Sequence, residues 1–193
     1  PQSYRLMRII SGNFKGKKLL ISKDKYTRPL KDNVKESIFN ILEHSQLINY
    51  KISNSNILDL FSGFGSFGLE CISRGSKQVT FFENHHPTLK ILKKNILNLN
   101  CSKNAKIIEK DVFCLEKLNL NKINYEYIFL DPPYRENRIK LLIRILKDSK
   151  ILKSDGIVLI HRDKRYGDEF PEDFKVIVTK KYGRSKIFFG KFD

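Results

Sequence analysis

The chain has 193 residues, with 37 Lys and Arg against 21 Asp and Glu, for a formal net charge of +16. Apolar residues at 40% and aromatics at 11% suffice for a packed core, which excludes wholesale disorder. The positive surplus points to a polyanionic partner, nucleic acid before an acidic membrane face. No apolar run approaches the ~20 residues of a membrane span, and no charged stretch with an apolar core marks a secretory signal. Cys71, Cys101 and Cys114 form no CxxC pair, which argues against a disulfide framework or a zinc ribbon. A cytoplasmic setting is expected.

Lys, Asn and Ile are abundant while alanine occurs once, at Ala105, so part of the Lys surplus reflects an AT-rich genome. Placement is more telling than the total. Between Arg5 and Lys35 stand ten Lys and Arg against Asp24 and Asp32, half the net charge in about a sixth of the chain.

In chain order, residues 6–10 and 17–21 read as extended, joined through the turn chemistry of Ser11, Gly12 and Asn13. Arg28 before Pro29 closes that section, because a residue preceding proline is pushed out of the helical region. A helix is expected over 32–44, where Val34, Ile38, Ile41 and Leu42 recur at helical spacing. Beyond a polar linker at 51–56, short apolar runs at 57–61, 79–82, 105–108, 127–130 and 157–160 alternate with amphipathic stretches. The spacing predicts helices over 66–74, 87–99 and 138–152, the second opened by Pro87. Such alternation implies a doubly wound parallel sheet with helices on both faces. Residues 174–179 and 185–189, around Tyr182-Gly183-Arg184, predict a terminal hairpin, an antiparallel edge on that sheet.

Two constellations carry chemistry. Asp59-Leu60-Phe61-Ser62-Gly63-Phe64-Gly65-Ser66-Phe67-Gly68 places GxGxxG at the end of a strand and the start of a helix. There the backbone turns tightly and approaches a nucleotide-like ligand closely. Glu83 follows at the end of the next strand, twenty residues after Gly63, suited to two ribose hydroxyls. This leaves a nicotinamide cofactor and S-adenosylmethionine both open. The second constellation, Asp131-Pro132-Pro133-Tyr134, ends an apolar strand with two prolines that cannot continue it. The turn falls at the sheet edge where open α/β proteins bind ligands. It offers a carboxylate, a backbone carbonyl and an aromatic ring, parts that suit a planar exocyclic amine and favour methyl transfer. Other candidates fail. Residues 12–18 have the wrong spacing for a phosphate loop and no Ser or Thr after the lysine. His85-His86 reads as a helix cap or pocket edge rather than a metal site, and none of the cysteines follows a proline as a pyrimidine-C5 nucleophile would. Cys71 and Cys114 sit on helical patterns and are expected in the core.

The chain resembles the class I S-adenosylmethionine-dependent methyltransferases of the amino-methylating type, and more narrowly the RsmD family, which methylates N2 of a guanine in small-subunit ribosomal RNA. The resemblance runs from Arg8 to beyond Asp131. It rests on Arg8-Ile9-Ile10-Ser11-Gly12, Gly16-Lys17-Lys18-Leu19, Arg28-Pro29, Asp32-Asn33-Val34-Lys35-Glu36, Phe39-Asn40, Leu58 to Gly63, Gly68-Leu69-Glu70 and Ser73-Arg74-Gly75. Ser11, Leu30 and Phe64 depart from that family's usual glycine, threonine and small residue. Its start would fall at Met7, with residues 1–6 an upstream extension or a cloning remnant.

The resemblance implies a Rossmann-like class I methyltransferase with a mostly parallel seven-stranded sheet and an antiparallel C-terminal edge hairpin. Residues 1–48 would form a basic N-terminal hairpin and helix, and 49–193 the cofactor-binding core. Asp59, Gly63, Gly65, Glu83, Asp111 and Val112 would line the S-adenosylmethionine site, leaving S-adenosylhomocysteine as product, and Asp131, Pro132, Pro133 and Tyr134 would form the amine site without a metal. Arg8, Lys15, Lys17, Lys18 and Arg28 would contact ribosomal RNA or the small-subunit particle, with the enzyme a monomer away from membranes. Amino-methylation of DNA adenine or a protein glutamine is the alternative, and an RNA-binding module on a relic fold is a third reading. The absence of room for a separate target-recognition domain favours RNA read by local shape.

Overall fold

The computed structural model describes residues 5–22, 29–118, 120 and 123–193. The chain opens with an antiparallel pair, β1 (Arg5–Arg8) and β2 (Lys18–Ile21), in which Arg5 faces Ile21 and Arg8 faces Lys18. Helix α1 (Asp32–His44) follows, burying Val34, Ile38 and Leu42 along one stripe. Then come β3 (Asn56–Leu60), α2 (Ser66–Ser73), β4 (Gln78–Phe82), α3 (His86–Asn98), β5 (Ala105–Ile108), β6 (Tyr125–Leu130), α4 (Ile139–Asp148), β7 (Leu152–Asp163), β8 (Phe174–Tyr182) and β9 (Ser185–Phe192).

The main sheet has the order β5-β4-β3-β6-β7-β9-β8. β3 through β7 run parallel, and β9 turns antiparallel against both β7 and β8, as the sequence pattern implies. Chain order reverses at β3, whose neighbours are β4 on one side and β6 on the other. In open α/β sheets the crevice at such a reversal is where ligands bind.

Strand side chains alternate between faces. Ile57, Tyr127, Phe129 and Leu159 join one core with α1, α2 and α3, while Leu58, Leu60, Ile128 and Leu130 join a second core with α4. A stack of Phe39, Phe67 and Phe129, with centroids 5.3 and 4.0 Å apart, ties α1 and α2 to the strand that ends in Asp131.

Three expectations change. The helix expected over 138–152 ends at Asp148. The Ser149 hydroxyl turns back to the Leu146 carbonyl, Lys150 adopts a left-handed φ of +51°, and Leu152 opens β7. Two apolar residues at a junction fit a helix or a strand equally well, and here Ile151 lies between the elements while Leu152 belongs to the strand. Cys71 is in the core, but Cys114 is only half-buried, on a short 3-10 turn over Val112–Lys117. Lys35, counted among the basic residues of the N-terminal segment, is fully buried and adds nothing to its surface.

Lys35 instead helps seat the hairpin. Its Nζ donates to the Arg8 carbonyl at 3.1 Å and lies 3.6 Å from Glu70 Oε2, with both side chains sealed from solvent. Burial pushes the Lys35 pKa down, against the pull of Glu70. Glu70 on α2 also accepts from the Ile10 and Ser11 amides, each at 2.9 Å, and from Arg74 Nε at 3.0 Å. Gly12 completes the contact with φ +81°, and a β-carbon there would lie 1.9 Å from the Ser73 carbonyl oxygen. Met7, Ile9, Leu19 and Ile21 accordingly join the same core as α1, α2 and α3.

Candidate active site

Because β3, β4, β5 and β6 run parallel, their C-terminal ends meet at one edge of the sheet. That edge carries the loop of Gly63 and Gly65 after β3, Glu83 after β4, Asp111 after β5 and Asp131 after β6.

The loop after β3 is held from below and from the side. Asp59, 1% exposed, accepts from the Gly68 amide at 3.0 Å. Desolvation, reinforced by the charges of Asp131 and Glu83, pushes its pKa well up. Asp59 thus faces the base of α2, supporting the loop from within. Gly65 sits at φ +89° just before α2, and a β-carbon there would lie 2.7 Å from Leu92 Cδ1. Phe64, where the family usually carries a small residue, points inward and is 2% exposed, so the ring leaves the open side of the loop clear.

Glu83 is half-buried and accepts from the Gly63 amide at 2.9 Å and the His85 amide at 2.8 Å. Each carboxylate oxygen keeps a second lone pair for a hydroxyl donor. Burial raises its pKa despite those amides. Asp111 is exposed and caps the following 3-10 turn, its Oδ1 accepting from the Phe113 amide at 2.9 Å, while Val112 is buried beside it. A carboxylate for vicinal hydroxyls, a loop at positive φ and the Asp111-Val112 wall fit the adenosyl part of S-adenosylmethionine. His85 occupies the N-cap position of α3, but its side chain makes no capping hydrogen bond to the helix backbone, pairing instead with the Thr88 hydroxyl at 2.8 Å. Among the described residues, no group of His, Cys, Asp and Glu could hold a metal ion.

Asp131 is partly exposed, Pro132 is buried and Tyr134 is half-buried. Among the described residues the Pro132 carbonyl meets no hydrogen-bond donor, whereas the Pro133 carbonyl accepts from the Glu136 amide at 2.9 Å. A cleft of about 650 Å³ adjoins this turn, lined in part by Tyr134, Ile139, Arg162, Tyr166 and Asp168. Arg162 stitches its walls together, with Nε 2.7 Å from Asp168 Oδ1 and Nη2 donating to the Glu136 carbonyl at 2.8 Å.

Three contributors escape a reading of motifs. His161 lies beside Asp131, Arg162 braces the cleft, and Asn95 joins the basic hairpin to the cofactor loop. The Asn95 side chain accepts from the Leu20 amide at 2.8 Å and donates to the carbonyls of Leu20 and Phe64, both at 3.0 Å. A polar residue within the apolar stripe of α3, next to Ile96 and Leu92, was the available signal. For His161 and Arg162 the signal was polarity immediately after the apolar run 157–160, at the end of the strand neighbouring Asp131.

Of the residues expected at RNA, Lys15, Lys17 and Lys18 are exposed on the hairpin. Arg8 is exposed and pairs with Asp32 at 3.1 Å, and Arg28 lies outside the described residues. The Ser66 hydroxyl, at the first turn of α2, contacts Met7 Sδ at 3.3 Å, so the hairpin abuts the loop that starts that helix.

A doubly wound sheet with an antiparallel final pair, a glycine loop with an acid on the next strand, and an Asp-Pro-Pro-Tyr turn at the same edge define a Rossmann-like class I methyltransferase architecture. The chain belongs to the family described as Conserved hypothetical protein 95, whose model matches residues 7–191, which bears out the RsmD-type resemblance. It is 33% identical over 185 residues to the putative rRNA methyltransferase YlbH of Bacillus subtilis, covering 94% of this chain and 96% of that protein. It is likewise 33% identical over 184 residues to the ribosomal RNA small subunit methyltransferase D of Haemophilus influenzae, covering 95% and 92%. The fold matches a putative methyltransferase of Escherichia coli with a TM-score of 0.81 at 24% identity, over 98% of this chain and 99% of that one.

Proposed function

We propose that this chain transfers a methyl group from S-adenosylmethionine to the exocyclic N2 amine of a guanine in small-subunit ribosomal RNA. The observation that carries the reading is the pair of acceptors at the end of β6. Asp131 Oδ2 and the Pro132 carbonyl have no protein donor among the described residues, and they stand at the same sheet edge as the Gly63–Glu83 cofactor loop. The kinship with proteins named as ribosomal RNA methyltransferases supports the substrate class.

S-adenosylmethionine supplies, when bound, an electrophilic methyl group on a sulfonium. The chain supplies alignment, which in well-oriented pairs is worth roughly 7–11 kcal/mol of the barrier. Asp131 and the Pro132 carbonyl accept the two amine hydrogens, Tyr134 offers a ring to the base, and the adjoining cleft gives it room. As the N–C bond forms the C–S bond breaks, and sulfur keeps the electron pair. The surplus proton on nitrogen is then shed past the Asp131 carboxylate to solvent. The base must be unpaired or flipped to enter. Residues 1–48 would form the RNA-contact extension, with the exposed Lys15, Lys17 and Lys18 tracking phosphates, and the enzyme would act as a monomer in the cytoplasm.

Incubating the chain with tritiated cofactor and unmodified small-subunit ribosomal RNA or particles, then analysing nucleosides by mass spectrometry, tests this directly. N2-methylguanosine is the expected product. In parallel incubations with DNA or protein, N6-methyldeoxyadenosine or methylated glutamine, with no methylated guanosine in RNA, would replace this reading with its alternative. No transfer at all would leave an RNA-binding module.

A further inference from the structure

His161 follows the apolar run 157–160 within β7, is 7% exposed, and both of its ring nitrogens are engaged. Nδ1 lies 2.7 Å from Asp131 Oδ1, and Nε2 lies 2.9 Å from Ser185 Oγ on β9. A carboxylate only accepts, so Nδ1 carries a proton in either charge state of the ring. The Ser185 hydroxyl then donates to a neutral Nε2 or accepts from a protonated one. Asp131 hangs from the end of a strand before two prolines, and nothing else described fixes its carboxylate. With Oδ1 tied to His161, Oδ2 is the oxygen left for substrate.

We propose that His161 is a positioning residue for methyl transfer. It fixes the rotamer of Asp131, and its charge state sets how strongly that carboxylate favours the attacking amine. The inference rests on the reading of Asp131 as the amine acceptor.

The direction of the charge effect follows from counting. The attacking nitrogen gains positive charge as it bonds to the methyl carbon. A neutral His161 leaves the Asp131–His161 pair with one net negative charge, which favours that development, whereas an imidazolium leaves it with none. Two other charged groups act on the ring, Arg162 against its protonated form and Asp163 in favour of it, and each also has a partner of its own. Arg162 pairs with Asp168, Asp163 with Arg165, and Lys186 of β9 lies 3.8 Å from Asp168. Burial works to lower the His161 pKa, but Asp131 and its hydrogen bond outweigh it, so the ring titrates above its ordinary value. Turnover is therefore expected to rise with pH through the His161 titration to a plateau.

The test compares the full-length parent with His161→Asn, His161→Leu and Ser185→Ala at saturating cofactor, measuring kcat against pH on unmodified small-subunit ribosomal RNA, with cofactor affinity by calorimetry. His161→Asn keeps a donor near Nδ1 without a titrating ring. It should retain the plateau rate within a few-fold and lose the acidic limb. His161→Leu should bind cofactor like the parent yet turn over roughly tenfold to 10²-fold more slowly at every pH, the scale of a misplaced reacting group. Ser185→Ala, which removes the partner of Nε2 and leaves the ring oriented by Asp131 alone, should fall between. An acidic limb that persists in His161→Asn, or a His161→Leu variant with parental kcat, overturns the inference. If the parent itself forms no N2-methylguanosine, the functional reading fails instead, and the two failures are told apart by that control.

Discussion

Glu83 and Asp131 stand at the ends of separate strands, and under the proposed function they would divide the work between binding and turnover. Asp131→Ala should leave cofactor affinity within a few-fold and lower turnover by about 10²-fold, the lower range for a positioned polar group. Equal losses in both would make Asp131 a cofactor ligand. Glu83→Gln should do the reverse, weakening affinity with little further loss once cofactor is saturating. Its pH behaviour has a definite sign. The ionised carboxylate accepts both hydroxyls, and the fold raises the Glu83 pKa, so cofactor affinity should climb as pH rises through that titration and then flatten. By linkage the same shift acts oppositely on the ligand-free fold. Its contribution to stability is present below the ordinary carboxylate pKa and is lost as pH rises through the folded value. Calorimetry across pH should find the affinity slope in the parent and not in Glu83→Gln. A slope that survives the substitution would place the adenosyl hydroxyls elsewhere.

At the scale of elements, the contact between the N-terminal hairpin and α2 joins one buried carboxylate, Glu70, to a set of bonds at Ser73. Glu70 receives two backbone amides, a guanidinium and a buried ammonium. Removing one member of a buried charged set typically costs about 3–5 kcal/mol, because the partners stay behind uncompensated. Glu70→Ala should therefore lower unfolding stability by that amount in denaturant titration, and a loss under about 1 kcal/mol, the worth of an exposed pair, would show that the hairpin is seated by apolar packing and the Ser73 bonds instead. This contact also marks what local pattern could not reveal. The β3-to-β6 alternation was readable because strand and helix periods are local, and helix α1 was readable from four apolar residues and the Arg28-Pro29 boundary. Glu70 lies 60 residues from Ile10, and His161 lies 30 from Asp131. Such pairings are made by topology, with no spacing rule in the chain to announce them. The early end of α4 was hidden for the opposite reason, since a left-handed lysine carries no compositional mark.

On the scale of the whole molecule, the question is what the clustered positive charge does. Tethered by Asn95 and Glu70, the hairpin presents Lys15, Lys17 and Lys18 to solvent on a rigid support, its turn packed on Ser73 at the end of α2 away from the cofactor loop. Under the proposed function these lysines would bind phosphates at a distance from the target base. For every phosphate no longer neutralised, the salt dependence of RNA binding should fall by about 0.7–0.9 in logarithmic slope. Replacing Lys15, Lys17 and Lys18 with alanine should thus weaken binding most at low salt and flatten the salt curve. Cofactor affinity should be unchanged, since none of the three touches Glu83 or the glycine loop. Binding titrations on small-subunit ribosomal RNA at several salt concentrations would measure the slope directly. Parental binding at every salt concentration would mean that these lysines form a solvated face shaped by codon bias. Recognition would then shift to the C-terminal hairpin, where Lys180, Lys181 and Arg184 are exposed around the turn between β8 and β9, and the corresponding substitutions there should flatten the curve instead.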